Sequence, residues 1–143
     1  MFLGEYEYKV DNKGRLPLPP KFRQELRGEL VLTKGLEKCI AVYPAEEWHK
    51  IADTLSARAV PSSKFRTMNR AMFGTAFSLS LDGQGRIALP SLLRNSAEIG
   101  DTAIVVGANN CIEIWNPILW DSEKTEAETQ LWQIIESLEE QQR

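Results

Sequence analysis

The chain repeats itself, and that restricts its fold more than any other feature. Asp11-Asn12-Lys13-Gly14-Arg15-Leu16-Pro17-Leu18-Pro19 lines up with Asp82-Gly83-Gln84-Gly85-Arg86-Ile87-Ala88-Leu89-Pro90 at an offset of 71. Phe22-Arg23 falls on Leu93-Arg94 at the same offset. Gly35, Cys39, Ile40, Val42 and Tyr43 fall on Gly107, Cys111, Ile112, Ile114 and Trp115 at offset 72, and Trp48 falls on Trp120. A unit of ~70 residues is small for a stable core of its own. Two copies within 143 residues are expected to bury a shared one, as an intrachain pseudo-dimer.

Each copy has a readable order of elements. Glu5–Val10 alternates polar and apolar, which predicts a half-buried strand. Asp11–Gly14 supplies a tight turn. Arg15–Leu18 alternates again, with Pro17 pointing to an edge or a short strand. Pro19-Pro20 opens a short helix that Gly28 closes. Leu30–Leu32 and Cys39–Tyr43 read as strands around a Lys34–Glu37 turn, and Trp48, Ile51, Ala52 and Leu55 stripe a helix. In the second copy, Phe77, Leu79 and Leu81 lead into the Asp82–Arg86 turn, and Ile87 and Leu89 leave it. A helix over Pro90–Ile99 is expected to stop at Gly100. Strands follow at Ala103–Val106 and Cys111–Trp115, and Asn116-Pro117 caps a terminal helix. The expected fold is α+β, organised as a first repeat (1–55), a linker and helix (56–74), a second repeat (75–120) and an acidic helical tail (121–143).

Two segments lie outside the repeat. Ser56–Ser63 reads as a Ser/Ala/Pro linker into an amphipathic helix, Lys64–Phe73, with Phe65, Met68 and Met72 on one stripe. Lys64, Arg66 and Arg70 decorate that helix, either solvated or facing DNA. The tail places Leu131, Ile134, Ile135 and Leu138 on one face, which either folds back or packs on another subunit.

Charge follows the same division. The net charge of −3 excludes a globally basic nucleic-acid coat. Residues 1–80 nevertheless hold thirteen Lys/Arg against nine Asp/Glu. From Asp121 onward there are seven acids and two bases, so a mildly basic body carries an acidic arm. No run of ~18 apolar residues exists to span a membrane. No basic, then apolar, leader opens the chain, so a cytoplasmic location with reduced thiols is expected.

The two Asp-x-x-Gly-Arg loops are the main candidate site. A single one reads as a hairpin turn with its arginine in solvent. Two in register point further, because a turn has no evident need for arginine after the glycine both times. Arg15 and Arg86 bring planar forks suited to guanine edges and phosphates. Asp11, Gly14, Asp82 and Gly85 position the loops, and Lys13 adds a phosphate contact that Gln84 does not repeat. Cys39 and Cys111 read as buried small hydrophobes. His49 is the single histidine, which excludes a two-histidine metal site. Gly83-x-Gly85 lacks the third glycine of a dinucleotide loop, and no Gly-x-x-x-x-Gly-Lys occurs. No enzyme, metal or cofactor is expected.

At these loops the sequence resembles the MraZ family of bacterial transcriptional regulators. The matching residues include Met1-Phe2, Gly4, Asp11-x-Lys13-Gly14-Arg15, Pro19-x-Lys21-Phe22-Arg23 and Thr33-x-Gly35-Leu36. They continue through Cys39, Tyr43-Pro44, Trp48, Arg70-x-x-Phe73-Gly74-x-Ala76, Asp82-x-Gln84-Gly85-Arg86, Gly107, Glu113-Ile114-Trp115 and Trp120. The likeness covers residues 1 to about 120; Tyr8 stands where many members have histidine. It implies a double-split β-α-β fold of two pseudo-symmetric halves, similar to AbrB-type swapped-hairpin domains. It implies a ring homo-oligomer, with eight or twelve subunits family-like. It also implies binding of double-stranded DNA at tandem G-rich promoter repeats, usually as a repressor of the division and cell-wall gene cluster, and hence a nucleoid association. The rival class is an oligomeric protein-interaction scaffold without DNA binding.

Overall fold

The computed structural model describes residues 1–57 and 61–142. The middle of the expected linker, 58–60, lies outside the described residues. The first half runs β1 (Glu5–Lys9), β2 (Arg15–Pro17), α1 (Pro20–Glu25), β3 (Glu29–Lys34), β4 (Ile40–Pro44), α2 (Ala45–Ser56) and α3 (Ser62–Met72). The second runs β5 (Phe77–Ser80), β6 (Arg86–Ala88), α4 (Ser91–Ser96), β7 (Thr102–Gly107), β8 (Ile112–Trp115) and α5 (Pro117–Gln141).

The halves exchange strands. The large sheet has the order β1-β7-β8-β4-β3-β5, all antiparallel neighbours. Each half therefore contributes two central strands, and its first strand pairs with the other half. A pseudo-twofold axis passes between β8 and β4. The turn at Asp11–Arg15 is thus not a hairpin in the simple sense: β1 pairs with β7, whereas β2 pairs with β6. This is the α+β double-split β-α-β pseudo-dimer with a C-terminal helix that the repeat and the resemblance imply.

Alternation decides what each sheet face carries. Leu30, Leu32, Ile40, Val42, Ala103, Val105, Ile112 and Ile114 point to one face and join Leu16, Leu18, Phe22, Ile87, Leu89 and Leu93 in a single core. Both halves contribute to it. The intervening residues Cys39, Ile104, Val106 and Trp115 point to the opposite face, where Leu119 and Trp120 of α5 cover them. Tyr43 on that second face packs at a tilt against Trp48 of α2, which meets Phe73 beyond α3 edge-on. The β2–β6 ribbon and the helices α2, α3 and α5 therefore lie on opposite sides of the sheet.

Helix ends follow local chemistry, with two departures: α1 ends at Glu25, short of the expected Gly28, and α4 ends short of Gly100. Asn116 caps α5 by accepting from the backbone N–H of Ile118 and Leu119 at 2.8 and 3.2 Å. No proline or glycine follows Pro117, so α5 continues unbroken to Gln141. In the first half a separate helix, α3, starts after Pro61. The helix expected to reach Ile99 and stop at Gly100 ends earlier, at Ser96. Glu98, not Gly100, takes the left-handed conformation, with φ +56°. The Ile99 N–H then returns to the Arg94 carbonyl at 2.9 Å, closing the helix end.

Candidate nucleic-acid interface

Both Asp-x-x-Gly-Arg loops are built alike. Asp11 Oδ1 accepts from the backbone N–H groups of Lys13 and Arg15, each at 2.9 Å. Gly14, at φ +77°, lets its own N–H reach the Asp11 carbonyl at 3.0 Å. Asp82 Oδ1 accepts from Gln84 and Arg86 at 2.9 Å each, and Gly85, at φ +72°, repeats the Gly14 bond. The backbone N–H of Arg15, first among several donors, holds the Asp11 carboxyl down at about 2. Asp82 is lowered for the same reason, through Arg86.

The arginines have a structural task that the sequence does not advertise. Arg15 Nε donates to Asp11 Oδ2 at 2.6 Å, and Arg86 Nε donates to Asp82 Oδ2 at 2.8 Å. The expectation that the turn has no use for arginine is corrected: each guanidinium closes its own loop. Its two terminal nitrogens lie beyond that bond. Arg86 Nη1 also stands 3.7 Å from Asp11 Oδ2, so the loops adjoin.

The ribbon sets their direction. Its register pairs Arg15 with Ala88, Leu16 with Ile87 and Pro17 with Arg86. Leu16 and Ile87 are wholly buried beneath it. Strand alternation then turns Arg15 and Arg86 to the outer side, where both are partly exposed. Lys13 and Gln84 are exposed at the loop tips.

A family model described as "MraZ protein, putative antitoxin-like" matches this chain twice, over residues 1–70 and 72–138. Two proteins from Dehalococcoides mccartyi, each called Transcriptional regulator MraZ, are 50% and 49% identical to it. They cover 98% and 97% of this chain and 99% of each relative. A protein of the same name from Roseiflexus sp. is 43% identical over 85% of each chain. The chain belongs to the MraZ family.

The two matches coincide with the internal repeat, one per half. The second extends the likeness past Trp120, where the sequence reading stopped, to residue 138 of α5.

Two MraZ-family side chains at the loops escaped the sequence reading. Arg94 of α4 lies over Gly14, and Arg23 of α1 lies over Gly85. Their signal was the Phe22-Arg23 and Leu93-Arg94 match. With Lys13, Arg15 and Arg86 they make five bases against two carboxylates around the ribbon. The bases of α3 stand apart from this group, since α3 packs on the other sheet face. The cysteines behave as buried small hydrophobes: burial pushes both thiols up, Cys111 to about 11. Among the described residues no group of His, Cys, Asp or Glu is arranged to hold a metal, and no helix is long and apolar enough to cross a membrane.

Proposed function

We propose that this chain is a sequence-specific DNA-binding transcriptional regulator that reads duplex DNA with the β2–β6 ribbon and its two arginine loops. The observation that carries the reading is the ribbon itself: Arg15 and Arg86 share its outer face, diagonal to one another across the ladder, while Leu16 and Ile87 fix it from below. The major groove admits a two-stranded ribbon, and arginine is the side chain best matched to a guanine edge. A good arginine–guanine pair discriminates by roughly 1–3 kcal/mol. Lys13 supplies a phosphate contact, with a salt-dependent contribution. Asp11, Gly14, Asp82 and Gly85 hold the geometry. The name of the relatives, transcriptional regulator, supports this class.

The finer reading is a ring homo-oligomer on tandem G-rich promoter repeats, repressing the division and cell-wall gene cluster. Exposed Leu131, Trp132, Ile134 and Leu138 on α5 support self-assembly. Repeated subunits would place several weak readers on one DNA, and linked sites gain avidity.

The test is a gel-shift titration on duplexes with tandem G-rich repeats. Arg15→Ala should abolish the shift while circular dichroism is unchanged, and Arg86→Ala should weaken it. Unaltered affinity in Arg15→Ala would sink the assignment. A stable oligomer that binds no DNA at low salt would favour the protein-interaction scaffold instead.

A further inference from the structure

The two loops are not held by their own halves alone. At Gly14 an added Cβ would stand 2.9 Å from Arg94 Cζ and 3.1 Å from its Nη1. At Gly85 an added Cβ would overlap the Arg23 side chain from Cδ to Cζ. Each guanidinium therefore lies directly on the glycine of the opposite repeat. The backbone is crossed in the same sense. Leu18 N–H donates to the Gly85 carbonyl at 3.3 Å, and Leu89 N–H donates to the Gly14 carbonyl at 2.9 Å. Both arginines follow a core anchor, since Phe22 and Leu93 are buried in the residue before.

We propose that Arg23 and Arg94 are positioning residues, each clamping the arginine loop of the other repeat in the orientation that DNA reading needs. This rests on the function proposed above. The glycines serve the clamp as well as the turn. They supply positive φ, and they leave the room a planar side chain needs to lie flat on the backbone. The clamps are unequal. Arg23 Nε donates to the Leu18 carbonyl at 2.8 Å, which ties clamp, ribbon and loop together. Arg94 Nε is enclosed without a hydrogen-bond partner among the described residues, so it lacks the bond that ties Arg23 to the ribbon. The loop at Asp11–Arg15, clamped by Arg94, is thus the one more easily released.

Amide hydrogen exchange on the free protein tests the clamps without reference to DNA. Exchange at Gly14 and Arg15 should quicken by ~10-fold or more in Arg94→Ala, with Gly85 and Arg86 little changed. Arg23→Ala should do the reverse. Equal quickening of both loops, or of neither, would overturn the proposal, because a general loss of stability has no crosswise pattern. Arg94→Lys and Arg23→Lys serve where alanine unfolds the chain, and each should release the opposite loop because lysine lacks the planar fork.

DNA titration against salt supplies the second arm. Both alanine variants should lose discrimination between G-rich and scrambled duplexes while keeping the wild-type salt slope. A slope reduced by ~1, restored by lysine, would make them phosphate contacts and reject the clamp. If Arg15→Ala binds DNA normally, the reading function falls, while the exchange pattern still decides the clamps.

Discussion

Arg86 Nη1 reaches to 3.7 Å from Asp11 Oδ2, the carboxylate oxygen that already accepts from Arg15 Nε. One carboxylate thus serves both arginines, whereas Asp82 is paired with Arg86 alone. The pseudo-symmetric loops differ in rank. Asp11→Asn is expected to disturb two guanidinium groups, and Asp82→Asn one. DNA affinity should fall more in Asp11→Asn, by roughly tenfold against two- to threefold, modest values because these partly exposed pairs are screened by solvent. Anisotropy titrations of the two variants at one salt concentration decide it. Equal losses would refute the shared role.

The same carboxylates set a pH dependence. The Asp11 carboxyl sits at about 2 in the fold, against 3.8 without its partners. A lowered carboxyl contributes stability above the unfolded value and loses it as pH falls through the folded one. Asp82 is shifted in the same direction. Loop order should therefore be flat above about pH 5 and decline between about pH 4 and 2. Two-dimensional NMR of the Arg15 and Arg86 Nε–H signals should show both broadening in that window. Loss near neutral pH would assign the titration to other groups.

Beneath the arginines, Leu16 and Ile87 face one another in the ladder and neither has accessible surface. Leu16→Ala or Ile87→Ala should destabilise the fold by ~2–5 kcal/mol, the usual cost of a cavity in a packed core. Because these residues fix the ribbon, DNA affinity should fall although neither touches the outer face. Urea unfolding midpoints and titrations on the same samples measure both. A change in stability alone would mean that the ribbon keeps its shape without its underlying pair.

Acidic side chains and loops lie on opposite sides of the sheet. α5 is fixed at its base by Trp120 Nε1 donating to Glu5 Oε2 at 3.0 Å and by Lys124 Nζ at 3.1 Å from Glu5 Oε1. Its acids therefore start from the face away from the ribbon. Joint Glu136→Gln, Glu139→Gln and Glu140→Gln substitution should leave the DNA affinity and salt slope unchanged, with solubility reduced. A flatter salt slope in the neutralised protein would show that the acids compete with phosphate.

The repeat was legible because its signals are local. Asp11/Asp82, Gly14/Gly85 and the Asn116 cap each act within a few residues of chain, and alternation in Glu5–Lys9 marked its buried face. Exchange of strands is another matter. Nothing in Glu5–Lys9 distinguishes β2 from β7 as its partner, since pairing is decided by the packing of both halves together. Arg23 and Arg94 were visible as a matched pair, but their glycines belong to the other repeat. Glu98 replaced Gly100 at the helix end because the hydrogen bond from Ile99 to Arg94 selects position 98. The arginine–aspartate bonds have a plainer origin: an Asp-x-x-Gly-Arg turn brings its first and last residues close enough to bond, a closeness of side chains that turn propensity does not encode.

The far end of α5 offers the last prediction. Leu131, Trp132, Ile134 and Leu138 are 49, 70, 52 and 55% exposed, although Leu131, Ile134 and Leu138 share a face. A helix lying back on its own body would bury that stripe; here its base alone is seated. The stripe contributes little to the stability of a single chain, and in the proposed self-assembly other subunits would cover it. Leu131→Glu with Ile134→Glu should thus leave the far-ultraviolet spectrum intact while native mass spectrometry shifts to small species. Affinity for one DNA repeat should hold, and affinity for tandem repeats should fall by ~100-fold as avidity is lost. An unchanged oligomer would move the assembly surface elsewhere. Equal losses on single and tandem repeats would mean that the helix supports the reading site directly.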